Sequence, residues 1–210
     1  MDLARGGRSD GAAHLKREAL SGRFGENIAP GWEPYCSRLR EMPVAFEGTM
    51  SFTGKRYDFR DKAADYAQLA EELSGLLHGE SDFTANAANT SALLFDALPD
   101  INWAGFYFLK GGELVVGPFQ GKPACVRIAL GRGVCGTAAA ERRTIVVRDV
   151  EEFPGHIACD AASRSEIVIP LVADGELVGV LDIDSPNLAR FDDADARGLE
   201  RLAQIFLQNV

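Results

Sequence analysis

The sequence lacks several features that would assign it to a common class of protein. No apolar run approaches the 18 residues that a membrane-spanning helix needs. Basic residues are in the minority, with 22 Lys and Arg against 31 Asp and Glu, so we expect neither a nucleic-acid-binding protein nor one that binds an anionic membrane. The beginning of the chain has no apolar segment followed by a small-residue cleavage site, so we expect no secretory signal and a location in the cytoplasm.

Charge and composition divide the chain near residue 50. Residues 1–49 contain seven basic and seven acidic side chains, seven Gly and three Pro, whereas residues 50–210 carry the whole net charge of −9. No helical or strand period is evident in the first part. We therefore expect an N-terminal extension at 1–49, either flexible or upstream of a natural start at Met50, and one folded domain at 50–210.

Apolar residues at helical spacing predict three helices. The first two cover roughly 66–77 and 83–98, and in the link between them Gly79 is placed to end one helix and Ser81 to cap the next. Asp192 is placed to cap a closing helix. The apolar stripe of that helix consists of Leu199, Leu202, Ile205 and Phe206.

Aromatic and β-branched segments predict strands joined by tight turns. Gly111-Gly112 separates two strands as a β-hairpin, and Asp174-Gly175 is a strong signal for a second hairpin. The predicted strands are 102–109, 113–116, 125–130, 144–148, 166–172 and 176–184. Because hairpins dominate, we predict a single α+β domain whose mainly antiparallel sheet carries the helices.

A glycine-rich segment, Gly131-Arg132-Gly133-Val134-Cys135-Gly136, matches the dinucleotide-binding pattern G-x-G-x-x-G. It follows several predicted antiparallel strands, and no series of βαβ units comes after it, so its context does not favour a nucleotide cofactor. The segment instead places Cys135 at or near the N-terminus of a helix. The partial positive charge there favours a thiolate, which is our expectation for this cysteine.

Four cysteines are present, at positions 36, 125, 135 and 159. Without a secretory signal, a structural disulfide framework is not expected. Zinc binding would need four ligands, and Cys125, Cys135, Cys159 and His156 supply that number, but the chain has no C-x-x-C pair. Burial as small apolar side chains is the ordinary alternative. It fits Cys159 poorly, because the surrounding loop is polar and rich in small residues, so thiol redox chemistry is the favoured interpretation.

Two carboxylates follow an apolar strand at positions i and i+2, Asp182 and Asp184, and this spacing puts them on one face of the sheet. They mark either an exposed strand end or a pocket in which crowding raises the pKa of one acid. Glu166 begins the neighbouring strand. A strict two-residue turn at Asp174-Gly175 would put Glu166 on the opposite face. If all three acids share a site, we predict a bulge, a longer loop, or a Glu166 that precedes the strand.

Five segments together resemble the free methionine-(R)-sulfoxide reductases, which are a branch of the GAF domains. These segments are Asn102–Tyr107, Gly117–Gly121, Gly131–Ala138, Gly155–Ser163 and Gly179–Ser185. The likeness extends from about Ala63 to the C-terminus and leaves residues 1–49 outside. It is specific, because GAF domains at large lack the set of three cysteines.

The resemblance implies a GAF-like catalytic domain at 50–210 with a sheet of about six strands, helices on both faces, and a homodimer. It implies reduction of free L-methionine (R)-S-oxide with thioredoxin as electron donor and without a metal or organic cofactor. By position, it makes Cys159 the attacking thiol, Cys125 the resolving thiol and Cys135 an auxiliary thiol. It places three acids at the sulfoxide and amino-acid end of the substrate, and two aromatic residues along its wall: Glu166, Asp182, Asp184, Trp103 and Tyr107.

The residue types suit this chemistry. A thiolate must attack sulfur, and the sulfoxide oxygen leaves only after it has been protonated, which calls for a carboxylic acid that holds its proton near neutral pH. The resulting sulfenic acid can condense with a second thiol to a disulfide that an external dithiol reduces. The alternative is a non-catalytic GAF sensor, in which the same thiols report an oxidant or the pocket holds a small ligand.

Overall fold

The computed structural model describes residues 57–156 and 161–210, all of which belong to one compact unit. Residues 1–56 and 157–160 lie outside the described residues. Cys36, Cys159 and the predicted extension at 1–49 therefore fall outside them too, and the predicted domain boundary at residue 50 stays a prediction. None of the helices within the described ranges has the length and apolar character that crossing a membrane requires.

Six described strands form one antiparallel sheet in the order β3-β2-β1-β6-β5-β4. Their bounds are β1 Trp103–Lys110, β2 Glu113–Gly121, β3 Arg127–Ala129, β4 Ile145–Val147, β5 Ser165–Ala173 and β6 Glu176–Ser185. The described helices are α1 Lys62–Leu77, α2 Phe83–Ala97, α3 Gly133–Glu141 and α4 Asp193–Leu207, and a 3-10 turn covers Val150–Glu152. The predicted α+β fold with a mainly antiparallel sheet is confirmed.

Each face of the sheet has its own apolar core, because successive side chains of a strand point to opposite faces. On one face, Ile167 and Ile183 pack among the buried residues of α1, α2 and α4. Phe206 of α4 is fully buried there, which stabilises the fold by about 1.5–3 kcal/mol. On the other face, Val168 and Val180 pack with α3. Helices on both faces are thus confirmed, and the face with α3 also carries the acids.

The ends of the helices agree with the sequence signals, with one correction. Gly79 adopts φ +81° just after α1, as expected for a residue that ends a helix. Asp82 rather than Ser81 caps α2, and its carboxylate accepts a hydrogen bond from the Ala85 N–H at 2.8 Å. The prediction for Ser81 is wrong because the acid one position later is the one next to the first helical turn. Asp192 caps α4 as predicted.

A bulge sets the register of the β5–β6 hairpin. Asp174-Gly175 forms the predicted two-residue turn, with φ +51° and +82°, and Ala173 pairs with Glu176. The register then shifts between Val172 and Leu171, which leaves Val178 as the extra residue on β6. The bulge lies beside Gly179, where an added Cβ would overlap the main chain of β1. At this point β6 and β1 therefore run close together only because Gly179 has no side chain.

Candidate active site

The bulge brings the three predicted acids to one face of the sheet. With the register shifted by one residue, Glu166 of β5 lies directly opposite Asp184 of β6, and Val168 lies opposite Asp182. All three acids line one cavity, and the predicted irregularity is thereby confirmed. The cavity is lined by Ile128, Arg132, Gly133, Val134, Cys135, His156, Ser163, Glu166, Asp182 and Asp184.

The glycine-rich segment closes the cavity by bringing α3 against the sheet. Gly131 and Gly133 adopt φ +77° and +61°, values that glycine reaches without strain. At Gly136 an added Cβ would overlap the Ala129 carbonyl oxygen at the end of β3. These glycines therefore make the tight turn and the close helix–strand packing that point Cys135 into the cavity.

Cys135 is the third residue of α3, so its predicted place near a helix N-terminus is confirmed. Its side chain is only 4% exposed, and its Sγ donates a weak hydrogen bond to Oε1 of Glu166 at 3.9 Å. Burial, followed by the negative charges of Asp182 and Glu166, raises the pKa of the Cys135 thiol well above its usual range. The expected thiolate is therefore wrong, because desolvation and two carboxyl groups outweigh the partial charge of a short helix.

Glu166 and Asp182 form a crowded pair of buried acids, each 6% exposed. Burial raises the pKa of Glu166 well above its usual range, and the charges of Asp182 and Asp184 raise it further. Burial also raises the pKa of Asp182. Its Oδ1 is buried and has no hydrogen-bond partner in the structure. The pair therefore holds a proton near neutral pH and leaves one oxygen available to a ligand.

His156, Arg132 and Ser163 line the same cavity and were not predicted to have a role in the reaction. Nε2 of His156 lies 3.8 Å from Oε2 of Glu166, and partial burial lowers the pKa of this imidazole. Arg132 is exposed at the start of α3, and Ser163 accepts a hydrogen bond from Nδ2 of Asn102 at 3.0 Å. Each belongs to a motif already singled out, but only the fold shows that these motifs meet at one cavity.

The two predicted aromatic residues lie on the same face of the sheet as the acids. Trp103 pairs with Asp184 across β1 and β6, and its ring stacks on Phe119 at 5.2 Å and on Tyr107 at 5.8 Å between centroids. Nε1 of Trp103 donates to the Lys122 carbonyl at 3.1 Å. Both predicted rings are buried, and neither is among the described residues that line the cavity. Their contact with substrate stays a prediction.

The remaining predicted thiols occupy different places in the chain. Cys125 lies between β2 and β3, half-buried against the core that also contains Cys135, and it is a free thiol. It is not among the described residues that line the cavity. Cys159 lies outside the described residues, three positions after His156. The roles predicted for these two thiols stay predictions.

The side chains that could bind a metal in the structure differ from the four zinc ligands considered from the sequence. One donor atom each from Cys135, Glu166 and Asp182 lie within 4.8 Å of one another. Two of these donors are carboxylates on adjacent strands, which a search for Cys and His spacing does not consider. Cys125 is not part of this described group.

The sheet order, the helix arrangement and the cavity define the class of protein. A family model for the GAF domain matches residues 84–208, more than half of the chain. The chain belongs to the GAF domain family.

Relatives place the chain within that family. It is 58% identical over 146 residues to Protein YtsP of Bacillus subtilis, covering 69% of this chain and 90% of that protein. It is 57% identical over 142 residues to the free methionine-R-sulfoxide reductase of Escherichia coli, covering 68% of this chain and 86% of that enzyme. A structure of the free methionine-R-sulfoxide reductase of Neisseria meningitidis with its substrate superposes with a TM-score of 0.70 at 46% identity, covering 75% and 95% of the two chains. The predicted resemblance to the free methionine-(R)-sulfoxide reductases is confirmed.

Proposed function

We propose that this chain is an oxidoreductase that reduces free L-methionine (R)-S-oxide to L-methionine. The observation that carries the proposal is the buried carboxyl pair, Glu166 and Asp182, which faces a cavity that also contains a thiol. Sulfoxide reduction needs such a pair, because the oxygen is a poor leaving group until it is protonated. The kinship with reductases of this name supports the same reaction.

Glu166 is the proton donor in this proposal. Its pKa is raised by burial and by the neighbouring aspartates, so it keeps its proton at neutral pH and can give it to the sulfoxide oxygen. Cys135 donates its thiol hydrogen bond to the same carboxyl group. Because the pKa of that thiol is raised as well, Cys135 remains a thiol that positions Glu166, and it does not act as the first nucleophile.

Cys159 is the attacking nucleophile. Its thiolate bonds to the sulfoxide sulfur while Glu166 protonates the oxygen. The sulfur–oxygen bond and the new sulfur–sulfur bond then break as the hydroxyl passes to the sulfur of Cys159, and the products are methionine and a sulfenic acid at Cys159. The thiol of Cys125 then attacks that sulfenic acid, which releases water and forms a disulfide. Thioredoxin, a dithiol of suitable potential, reduces the disulfide and is itself oxidised. The half-buried free thiol of Cys125, on the same side of the sheet as the cavity, supports this order.

Charged groups at the cavity fit the amino-acid end of a free substrate. Asp184 and the unpartnered Oδ1 of Asp182 suit an ammonium group. Arg132 suits a carboxylate, because a guanidinium binds that group through two parallel hydrogen bonds. Trp103 and Tyr107 contact the methyl end, where a sulfur–aromatic contact contributes about 0.3–1.5 kcal/mol. A methionine within a peptide chain has neither the free ammonium group nor the free carboxylate.

The same proposal includes a homodimer and a location in the cytoplasm. A thiol relay that is recycled by a dithiol works in a reducing compartment, where free cysteines stay reduced.

NADPH oxidation coupled through thioredoxin reductase and thioredoxin tests the activity. Free (R)-sulfoxide, free (S)-sulfoxide and a peptide-bound sulfoxide are compared, with Cys159→Ser as the inactive variant and Cys36→Ser as the matched control. We expect turnover of the free (R) epimer only, lost in Cys159→Ser and retained in Cys36→Ser. Oxidation of the thiols without turnover of any sulfoxide would contradict an enzyme and support the GAF sensor instead.

A further inference from the structure

We propose that the cavity is also a binding site for Zn²⁺, held by Cys135, Glu166 and Asp182 with His156 as a fourth ligand. The resemblance implies that the reaction needs no metal cofactor, so a metal ion at this site would not take part in catalysis. The site is a place where a free zinc ion binds and blocks the chemistry.

Three of the proposed donor atoms, from Cys135, Glu166 and Asp182, already lie close together. Two ligands of one zinc ion, a thiolate and a carboxylate, are about 3.6 Å apart when the metal–ligand bonds have ordinary lengths. Sγ of Cys135 and Oε1 of Glu166 are 3.9 Å apart, and Nε2 of His156 is 3.8 Å from Oε2 of the same carboxylate. A donor oxygen of Asp182 lies within 4.8 Å of the other two donors of the three-residue group. His156 is not part of that three-residue group, so its imidazole has to rotate towards the other donors when the metal binds.

An independent observation points to a ligand at this place. Oδ1 of Asp182 is buried and has no hydrogen-bond partner, in a side chain that lines the cavity and is 6% exposed. A buried oxygen without a hydrogen-bond partner is unfavourable, and a cation would give it a partner. The substrate ammonium is one such cation, and a metal ion is another.

The donor set selects the type of metal. Magnesium and calcium take oxygen ligands and are poorly served by sulfur and imidazole. One sulfur, one imidazole nitrogen and two carboxylate oxygens match zinc, which accepts all three donor types in a tetrahedral site. Zinc binding replaces the thiol proton of Cys135 and the carboxyl proton of the acid pair with bonds to the metal, and the protons pass to solvent.

Binding of Zn²⁺ to the reduced full-length chain is the direct test, measured by calorimetry and by the visible absorbance of bound Co²⁺ as a spectroscopic substitute. We expect Cys135→Ser and Asp182→Asn each to weaken zinc binding by at least about tenfold. Two matched controls keep their affinity within about twofold: Cys125→Ser removes a thiol outside the cavity, and Asp174→Asn removes a carboxylate in the exposed β5–β6 turn.

Folding of the variants is checked by thermal melting with and without Zn²⁺. A ligand that binds the native state raises the melting temperature, so at the same Zn²⁺ concentration we expect a rise in the wild type and in both controls, and a smaller rise in Asp182→Asn. If a variant of a buried residue fails to fold, His156→Gln removes a ligand at the edge of the cavity and is used in its place. Absence of saturable binding at micromolar Zn²⁺, or equal affinity in the cavity variants, overturns the site.

The consequence for activity rests on the proposed function and is measured separately. Methionine release from pre-reduced protein in a single turnover, without thioredoxin, is followed at increasing Zn²⁺. We expect zinc to slow release, competitively with substrate and reversibly on adding a chelator. No release without zinc would contradict the proposed function and leave the binding test standing. Zinc binding with unchanged release would overturn the inhibition.

Discussion

At the scale of single residues, the cavity combines groups whose pKa values are shifted by burial towards the neutral form. Glu166 holds its proton because water is excluded and two aspartates lie beside it. His156 sits against the same carboxyl group with a lowered pKa. An acid that stays protonated and an imidazole that stays neutral are suited to passing a proton, whereas the same side chains on an open surface would both be charged at slightly acidic pH.

Removal of the acidic proton at Glu166 tests its catalytic role. Glu166→Gln keeps the shape of the side chain and loses general acid catalysis, which contributes about 10²–10⁴-fold to such reactions. We expect kcat with free (R)-sulfoxide to fall by about that factor in the coupled assay. Glu151→Gln, an exposed glutamate in the 3-10 turn, is the control and keeps wild-type activity. A kcat for Glu166→Gln within about threefold of the wild type would exclude Glu166 as the acid.

The same substitution predicts a change in the pH dependence of stability. Glu166 and Asp182 have pKa values raised by burial in the folded chain, Asp182 to about 6. The folded state therefore binds more protons than the unfolded state from about pH 4 upward. Their contribution to stability is fully present below that pH and is lost as the pH rises through the folded pKa values.

Urea unfolding at pH 5 and pH 8 measures this effect, with the pH values chosen about one unit or more on either side of the pKa of Asp182. We expect Glu166→Gln to gain stability relative to the wild type, and to gain more at the higher pH, because its amide cannot ionise. An equal difference at both pH values would show that folding does not raise the pKa of Glu166.

Arg132 provides a prediction about substrate binding. If its guanidinium binds the substrate carboxylate, Arg132→Gln should raise KM for free sulfoxide by about tenfold, the loss of about 1.4 kcal/mol, with a smaller effect on kcat. Arg143→Gln is the control, since this exposed arginine pairs with Glu141 at the far end of α3. A lower kcat with unchanged KM would contradict a role in binding the free amino acid.

At the scale of elements, the β5–β6 hairpin determines whether the acids meet. Its turn alone would place Glu166 on the face covered by α1, α2 and α4, and the extra residue at Val178 returns it to the face of Asp184. Gly179 makes this possible, because an added Cβ there would overlap the Tyr107 carbonyl oxygen of β1. The site therefore depends on a local irregularity of one strand.

Gly179→Ala tests this dependence. The new methyl group forces β6 away from β1, and overpacking of this kind costs about 1–3 kcal/mol. We expect a lower free energy of unfolding and a loss of activity greater than the loss of folded protein, since the acids shift with the strand. Gly75→Ala is the matched control: nothing lies within 4 Å of its added Cβ on α1, so it should be neutral or stabilise by up to about 1 kcal/mol. Unchanged stability in Gly179→Ala would contradict the close approach.

At the scale of the whole molecule, one buried acid connects the first described helix to the last. Asp195 of α4 is 0% exposed, and its carboxylate accepts from the Tyr66 hydroxyl at 2.9 Å and pairs with Lys62 at 2.5 Å and Arg190 at 3.3 Å. Lys62 and Tyr66 belong to α1. This network lies on the face of the sheet covered by α1, α2 and α4, opposite the face that carries the cavity.

Asp195→Asn should therefore affect stability and leave catalysis intact. Removing the carboxylate leaves the buried guanidinium of Arg190 without its counter-charge, which costs about 3–5 kcal/mol, whereas Lys62 keeps its ion pair with Asp192 at 2.8 Å. We expect a lower melting temperature, while kcat per folded molecule stays at the wild-type value. Asp193→Asn, exposed in the first turn of α4, should change stability by less than about 1 kcal/mol. A loss of kcat in the folded variant would contradict this prediction, because it would show that the Asp195 network on one face of the sheet affects catalysis in the cavity on the other face.

The sequence by itself determined the features that depend on neighbours along the chain. Spacing of apolar residues predicted α1, α2 and α4, the Asp174-Gly175 pair predicted its hairpin, and Asp192 was identified as a cap. These patterns are local, because a helix face, a two-residue turn or a cap is set by residues within a few positions of one another. The shared face of Asp182 and Asp184 follows from the same two-residue period.

Tertiary structure alone decided what meets at the cavity. Whether Glu166 joined the two aspartates depended on a bulge whose position reflects the approach of β1 to Gly179. The state of Cys135 was misjudged from its helix, because desolvation depends on the strands that cover it. His156 entered the site through a loop with no periodic signal. Burial and charge act through space rather than along the chain, so the chemistry of these groups emerges only once the fold excludes water from them.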